Sequence, residues 1–464
     1  MINRITVGVV DSIFDSSVIN DDKLISNSLY KKDNSLVELT HGMLCAMIIK
    51  THIPATIIED IEILNKNGIG HVSKLKYALE QCINRNIAIV NMSFGTTHFL
   101  DIAFIRKTIN YYVNKGIIIV VATSNDGYTT YPAALSNVIS VAAGDGFGID
   151  RDMQIQKGID FNAPSDHEIT IEGAAFRLGR SNSYAAPYVT AMVGNLINKN
   201  GMMTVDEIRR SLAPEGTVFI YSPDWIVKAW ISPEYKRKDT EFYFDEDERE
   251  LRICMDDIDT LVLCTRSEME RYGDLEKYIV YLGDENIRPS FSRKRYWNKK
   301  VRMEQVMSSK EKEDVIDIPV ICCVFSRETD IIRMLCQFKK LFADDGYNAY
   351  TGCSLVDSPL YDLEYLPHEE DLQNKLEDFI YWQTYYQQSD LILIGTEYEE
   401  DGLPFSGDTT DMVVTFKYVD EHLKVGIRID EGALVETIYS TNSINTIKEI
   451  YHSIVKSFDK KEDE

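Results

Sequence analysis

The stretch Arg180-Ser181-Asn182-Ser183-Tyr184-Ala185-Ala186-Pro187-Tyr188-Val189 puts a serine at the mouth of a small-residue run that reads as a buried helix. Ala191, Met192, Val193 and Leu196 continue the run, with no charge until Lys199. Pro187 falls within about the first turn, where a missing N–H costs little. A hydroxyl at a helix N-terminus lies beside free backbone N–H groups and the positive end of the helix dipole, which suits an attacking oxygen that must pass through an oxyanion. It equally suits an N-cap, and read alone Ser183 is a cap. Three further residues have the same double reading. Asp11 closes the β-branched run Ile5 to Val10, at the strand end where sites of open α/β sheets lie; alone it is a strand-end cap or turn former. His41 opens the apolar run Gly42 to Ile49 and alone is a helix-start residue. Asn125 precedes Asp126-Gly127 and alone is an ordinary turn residue.

The elements that must position these residues alternate. Strand-like runs at Ile5–Val10, Thr56–Leu64, Ile87–Gly95, Gly116–Ala122 and Val138–Ala143 are separated by helical spacing over His41–Ile49, Val72–Asn84 and Leu100–Asn114. Repeated strand–helix alternation implies a parallel sheet with helices on both faces. Thr204-Val205-Asp206-Glu207 reads as a capping box opening a last helix to Leu212, and Ala213-Pro214-Glu215-Gly216 stops it.

Composition narrows the function classes. At 464 residues the chain is too long for one core. A net charge of −25 argues against a nucleic-acid partner, since phosphate binding needs clustered Lys and Arg. No apolar run approaches a membrane span. The eight cysteines include no C-x-x-C pair and most sit among apolar neighbours, so reduced thiols, no zinc and a cytoplasmic location are expected.

The residues in question fall in segments that resemble the subtilisin (subtilase) family of serine peptidases. Val-Gly-Val-Val-Asp11-Ser resembles the family strand ending in Asp-Ser/Thr-Gly, His41-Gly42 its His-Gly-Thr, and Ser183-Tyr-Ala-Ala-Pro187 its Ser-Met-Ala-x-Pro. Asn91-Met-Ser-Phe-Gly95, Val121-Ala-Thr-Ser-Asn-Asp-Gly127, Tyr131-Pro132 with Val138–Val141, and Asp160-Phe-Asn-Ala-Pro164 agree as well. The Asp–His–Ser order is one of three unrelated chain orders that build the same triad. The resemblance implies Ser183 as nucleophile, His41 as general base, Asp11 as the group that orients the imidazole, and Asn125 as an oxyanion donor beside the Ser183 N–H. It makes Ser93, Phe94 and Gly95 an edge for an extended peptide, and Ala122, Thr123, Ser124 and Thr130 the lining of the first specificity pocket.

The sequence departs from the family at Ile13, where the family has Gly, and at Ser181-Asn182, where it has Gly-Thr. Asn182 could offer a further hydrogen bond to the oxyanion region. Thr123, Ser124 and Thr130 are larger than usual and predict a narrow pocket that favours Gly, Ala or Ser before the cleaved bond. No metal, no calcium and no cofactor are expected, nor a propeptide of the secreted type.

Family motifs stop at Thr217. Residues 217–317 read as a mixed α+β linker region or small domain, and 318–464 as an α/β accessory domain following the 1–216 peptidase-like domain. Asp245 to Glu250 reads as a solvated loop or hairpin turn. Arg293, Lys294, Arg295, Lys299 and Lys300 form a basic cluster that reads as a linker, or as a dock for an acidic leader peptide or for the acidic partner domain. Val320–Phe325 followed by Ser326–Asp330 has the layout of a nucleotide loop without its glycines. Tyr381, Trp382, Tyr385 and Tyr386 recur at helical spacing, as core, as a subunit contact or as a peptide-binding face. Two function classes remain: a cytoplasmic serine endopeptidase acting on a peptide or protein substrate, with a dedicated precursor whose leader the C-terminal half recognises as the expected substrate, or a catalytically impaired peptide-binding scaffold.

Overall fold

The computed structural model describes residues 5–20, 39–171, 174–236, 240–285, 287, 295–312, 314–397, 409–429, 434–439 and 443–462. The chain divides into two compact units, Met1–Val227 and Lys228–Glu464.

In the first unit the apolar runs become β1 (Thr6–Ser12), β2 (Ile57–Leu64), β3 (Ile89–Met92), β4 (Ile118–Ala122), β5 (Ile139–Ala143) and β6 (Phe161–Ala163). They form one sheet in the order β2-β1-β3-β4-β5-β6, parallel throughout. Alternate side chains point to opposite faces, so both faces must be covered. On one, Val7, Val9, Ile89 and Val120 pack with Met43, Ala46 and Ile49 of the helix His41–His52 and with Ala186, Val189 and Val193 of the helix Asn182–Asn200. On the other, Val10, Val90, Met92 and Val121 pack with Leu75 and Leu79 of Lys74–Asn84 and with Ile105 and Ile109 of Ile102–Val113.

The order reverses beside β1: the chain runs outward to β2 and then crosses to β3 on the other side. Such a switch point opens a crevice at the C-terminal ends of the two central strands. Asp11 lies at that end of β1, and Ser93 follows β3. An antiparallel pair, β7 (Glu168–Ile171) with β8 (Ala174–Arg177), stands apart from the sheet.

The expected capping box is present at Thr204, with the Glu207 N–H donating to the Thr204 hydroxyl at 3.2 Å. The helix it opens, Val205–Leu212, carries Arg209, which is fully buried. Its guanidinium donates to Asp160 at 2.8 Å, to the Ser136 carbonyl at 2.8 Å and to the Val138 carbonyl, with Asp206 at 3.6 Å and the Tyr221 ring 4.8 Å away. This explains physically why the Asp160 segment matters: it neutralises the cation that holds the last helix to β5 and β6. The unit continues past Gly216 through buried Trp225, and the Asp224 carboxylate accepts from the Ser136 N–H at 3.2 Å.

The second unit begins with five short strands, β9 (Lys228–Ile231), β10 (Asp245–Glu246), β11 (Thr260–Leu263), β12 (Tyr278–Tyr281) and β13 (Tyr296–Asn298). They pair in the order β10-β9-β11-β12-β13, wholly parallel, where the sequence reads as mixed α+β. Strands of two to four residues between charged loops leave too little periodicity to reveal the sheet. A seven-stranded sheet follows from β14 (Val320–Phe325), β15 (Ala349–Cys353), β16 (Glu364–Tyr365), β17 (Leu391–Glu397), β18 (Met412–Val419), β19 (His422–Ile429) and β20 (Val435–Tyr439). Its order is β16-β15-β17-β14-β18-β19-β20, and only the β18–β19 and β19–β20 pairs are antiparallel.

Several surface readings of this half change. Asp247 of the acidic run is buried against Lys228 at 2.7 Å and Arg249 at 2.6 Å. Arg295 is buried over the Tyr278 ring and Lys299 meets Asp284 at 2.5 Å, so these two members of the basic cluster are already matched; Arg293 and Lys294 lie outside the described residues. Asp330 caps the helix after β14, accepting from the Arg333 N–H at 3.2 Å, which puts a carboxylate where a phosphate would have to sit. Trp382 stacks on Tyr386 at 5.5 Å and donates to the Lys310 carbonyl at 3.1 Å.

Arg209→Met should destabilise the first unit by about 3–5 kcal/mol, because it leaves Asp160 and Asp206 buried without their cation. Denaturant unfolding of the variant against wild type measures this; a loss below 1 kcal/mol would mean the ion pair does not hold the helix.

Candidate active site

Asp11 is fully buried at the end of β1, where a lone carboxylate would be unstable. It is satisfied on several sides. Oδ1 accepts from the Ser12 N–H at 2.7 Å and the Ser12 hydroxyl at 3.1 Å, and His41 Nδ1 lies 3.0 and 2.9 Å from its two oxygens. That contact fixes the tautomer: Nδ1 carries the proton toward Asp11, and Nε2 is left to accept. His41 is the first residue of its helix, whose Thr40 cap accepts from the Met43 N–H at 3.3 Å. Gly42 permits the approach, since a Cβ there would stand 2.4 Å from the Ser12 carbonyl oxygen. The Gly42 N–H also donates to the Ser12 hydroxyl at 3.0 Å. Ile13 is half exposed and is not among the positive-φ residues, so replacing the family glycine there does not strain the turn.

Burial pushes the His41 pKa down, but the hydrogen bond and negative charge of Asp11 outweigh it, and the net shift is upward from 6.5. Cys45, one turn along the same helix, lies beneath this pair. Its thiol donates to the Ser93 hydroxyl at 3.4 Å and to the Ser183 carbonyl at 3.6 Å. The ligand atoms of Asp11, His41 and Cys45 lie within 4.8 Å of one another. The set fits a metal poorly, because burial and then the Asp11 charge push the thiol pKa well up and keep it protonated.

Ser183 is second in its helix, Asn182–Asn200, and Ser181 is the cap. A buried polar network fixes its backbone. The Ser93 hydroxyl donates to the Ser183 carbonyl at 2.8 Å and accepts from Asn91 Nδ2 at 3.0 Å, and the Thr190 hydroxyl donates to Asn91 Oδ1 at 2.9 Å. The Ser183 hydroxyl donates to the Ser93 carbonyl at 3.1 Å. Next to it the Tyr184 ring lies 5.7 Å from that of His41, and the Tyr184 carbonyl accepts from His167 Nε2 at 2.9 Å.

Asn125 sits where β4 ends, facing the start of the Ser183 helix. Its Oδ1 accepts from the Asn182 N–H at 2.9 Å, which settles which end of the amide faces the helix and leaves Nδ2 as an outward donor. The Ser181 hydroxyl stands between the two expected oxyanion donors: it accepts from the Ser183 N–H at 3.3 Å and donates to Asn125 Oδ1 at 3.5 Å. Asn182 does not offer the extra hydrogen bond expected from sequence. Its Oδ1 accepts from the Ala143 N–H at 2.7 Å and its Nδ2 donates to the Ser124 carbonyl at 2.7 Å and the Thr123 hydroxyl at 3.1 Å, so it clamps β5 to the turn after β4.

Thr123, Ser124 and Thr130 line a cavity of about 170 Å³ that also includes Asn125, Met153 and Lys157. Ala122 is instead buried in β4 within the core shared with the Ser183 helix. Ser93 is buried and committed to Ser183, whereas Phe94 is half-buried and Gly95 exposed. Thr96 and Tyr131 exchange backbone hydrogen bonds of 2.9 Å, which aligns the segment after Gly95 with the rim of that cavity. The sequence missed Cys45, Asn91, Thr190 and Lys157. The first three carry one signal: a polar group inside an apolar element must find a buried partner.

A parallel α/β sheet that carries an Asp–His pair and a helix-mounted serine at its switch point has the layout of a serine hydrolase. Residues 3–214, the greater part of the N-terminal unit, match the model of the Subtilase family. The minor extracellular protease Epr of Bacillus subtilis (strain 168) is 28% identical over 242 residues, 46% of this chain and 36% of Epr. The thermostable alkaline protease of Halalkalibacterium halodurans is 28% identical over 174 residues, 37% of this chain and 47% of that protease. The matched region therefore spans less than half the length of these relatives. Among solved structures, a cold adapted subtilisin-like serine proteinase is 18% identical with a TM-score of 0.34, covering 44% of this chain and 79% of its own. A lanthipeptide protease is 16% identical with a TM-score of 0.35, covering 44% and 78%.

NMR titration of His41 should give a pKa above 6.5, and in Asp11→Asn a pKa below it, because burial then acts unopposed. The sign for stability follows: a raised folded pKa stabilises fully below pH 6.5 and the gain is lost as pH rises through the folded value. An unshifted His41 in both proteins would contradict the pairing.

Proposed function

We propose that the chain is a serine endopeptidase, and the observation that carries this is the buried Asp11 holding His41 by Nδ1 beside a serine at a helix N-terminus. Rotation of the Ser183 side chain away from the Ser93 carbonyl frees its oxygen to attack the scissile carbonyl. His41 Nε2 takes the serine proton as the C–O bond forms, and the carbonyl electrons move onto the oxygen. Asn125 Nδ2 and the Ser183 N–H stabilise that oxyanion. His41 then gives its proton to the leaving amine as the C–N bond breaks. Water, deprotonated by the same imidazole, releases the acyl group and restores Ser183. Asp11 keeps the imidazole in the required tautomer and stabilises its cation throughout.

The free, mostly buried cysteines support a reducing, cytoplasmic setting. Among the described residues no helix is long and apolar enough to cross a membrane. We read the substrate as a dedicated precursor peptide rather than unfolded protein at large. The C-terminal half would supply leader recognition, and it has a cavity of about 980 Å³ beside Trp230 and Tyr272. Equal turnover of unrelated unfolded proteins would contradict this part alone. The second reading, a peptide-binding scaffold, is favoured by the resting contacts of Ser183 with Ser93 and Ser181.

A fluorophosphonate probe separates the two. Wild type should label and Ser183→Ala should not, and Asn125→Ala should lower kcat about 100- to 1000-fold on any cleaved peptide. A folded wild type that never labels is a scaffold.

A further inference from the structure

Pro187 lies within the Ser183 helix and has no N–H to donate. The backbone bond it removes is the one that would reach the Ser183 carbonyl, one turn earlier. That carbonyl is answered from outside the helix instead, by the Ser93 hydroxyl at 2.8 Å and the Cys45 thiol at 3.6 Å. The next carbonyl, that of Tyr184, also receives an outside donor, His167 Nε2 at 2.9 Å. A carbonyl only accepts, so Nε2 carries a proton. Tyr184 links the two halves of the site: it follows Ser183 in the chain, and its ring lies 5.7 Å from that of His41. The placement of His167 is itself specified. It precedes β7, and its carbonyl accepts from the Leu178 N–H at 2.9 Å, so the β7–β8 hairpin closes on it. Its ring stacks on Tyr188 at 5.8 Å and meets His52 edge-on at 5.7 Å, and His52 meets Tyr188 at 4.8 Å. Ile169 of β7 is buried with Ile48 of the His41 helix, and Tyr184 and Tyr188 pack against that pair.

We propose that His167 is a positioning residue for Ser183: its bond to the Tyr184 carbonyl holds the helix where Pro187 removes a backbone bond, and so keeps the serine in place against His41. This rests on the endopeptidase reading and adds a residue that acts through the backbone beside the nucleophile. Ser93 holds the Ser183 carbonyl from the end of β3, and His167 holds the next carbonyl from the hairpin. Two directional bonds from two separate elements fix a turn that one bond would leave free to pivot. The ring contacts with Tyr188 and His52 keep the imidazole in place but lack that direction. The consequence for rate is large because a nucleophile misplaced by about 1 Å can lose about 100-fold in reactivity. The hairpin, which stands apart from the main sheet, thereby gains a role: it presents His167 to the first turn of the Ser183 helix.

The test measures the rate constant of fluorophosphonate labelling in the full chain, with each variant shown to be folded by circular dichroism. His167→Leu should label about 10- to 100-fold more slowly than wild type. His167→Gln, whose amide N–H can reach the same carbonyl, should stay within about threefold of wild type, and His167→Asn, whose shorter amide cannot, should be as slow as the leucine variant. His52→Leu removes ring packing and leaves the bond, so it too should stay within about threefold. On a peptide that wild type cleaves, the loss in His167→Leu should fall on kcat with KM unchanged. If the leucine variant does not fold, the comparison of Asn with Gln decides alone. Labelling of folded His167→Leu or His167→Asn at the wild-type rate overturns this inference. So does a glutamine variant as slow as leucine or asparagine, or a His52→Leu variant as slow as His167→Leu. Each of those outcomes leaves the endopeptidase reading intact, whereas no labelling of folded wild type overturns both.

Discussion

Asp11 places a carboxylate where water cannot reach it, and much of the first unit is arranged to keep that charge tolerable. An isolated buried carboxylate would take up a proton or destabilise the fold. Here the Ser12 backbone and hydroxyl and the His41 ring converge on it, and each demands something of its own element. His41 must open a helix that crosses close to β1, so position 42 must lack a side chain. Cys45 then falls against the Ser93 and Ser183 contacts. The same charge that threatens the fold sets the imidazole's basicity, so stability and chemistry depend on one hydrogen bond.

A second constraint acts through the interior of the Ser183 helix. Two buried polar groups, Asn91 on β3 and Thr190 on the helix, would each destabilise an apolar interface if unpaired. Paired with each other and continued through Ser93, they hold the Ser183 backbone in one register. An apolar pair could pack as well but would not fix the register, because apolar contacts lack direction. The helix that delivers Ser183 is thus located by a polar thread through an otherwise apolar layer.

Those two constraints explain how much was legible beforehand. Strand ends and helix starts were readable because long β-branched runs and periodic apolar helices declare themselves, and Asp11, His41, Asn125 and Ser183 lie at such ends. Asn182 was misjudged, because its side chain answers to Ala143 and Thr123, partners remote in sequence. Lys157 was invisible for the same reason: nothing near it in the chain says that its ammonium returns to the wall beside Gly127. Nothing near Arg209 or Asp160 in the chain says that the fold buries the two charges together. In the second unit, strands such as β10 and β13 are too short to carry a period, and the sheet they join became visible only through pairing.

Ser181 poses the sharpest physical question in the site, since its hydroxyl holds the N–H that an oxyanion would need. The strengths decide it. A neutral hydrogen bond of 3.3 Å lies beyond the usual range for N–H donors and contributes at most about 0.5–1.5 kcal/mol net, whereas one to a charged oxygen contributes about 1.5–3 kcal/mol. In the proposed reaction a forming oxyanion would therefore outcompete the serine for the donor. Displaced, the Ser181 hydroxyl is itself a donor beside a negative oxygen, so the residue that occupies the position at rest need not oppose the reaction. The cap and the proposed nucleophile two residues later are compatible because the helix N-terminus offers more N–H groups than a single side chain can satisfy.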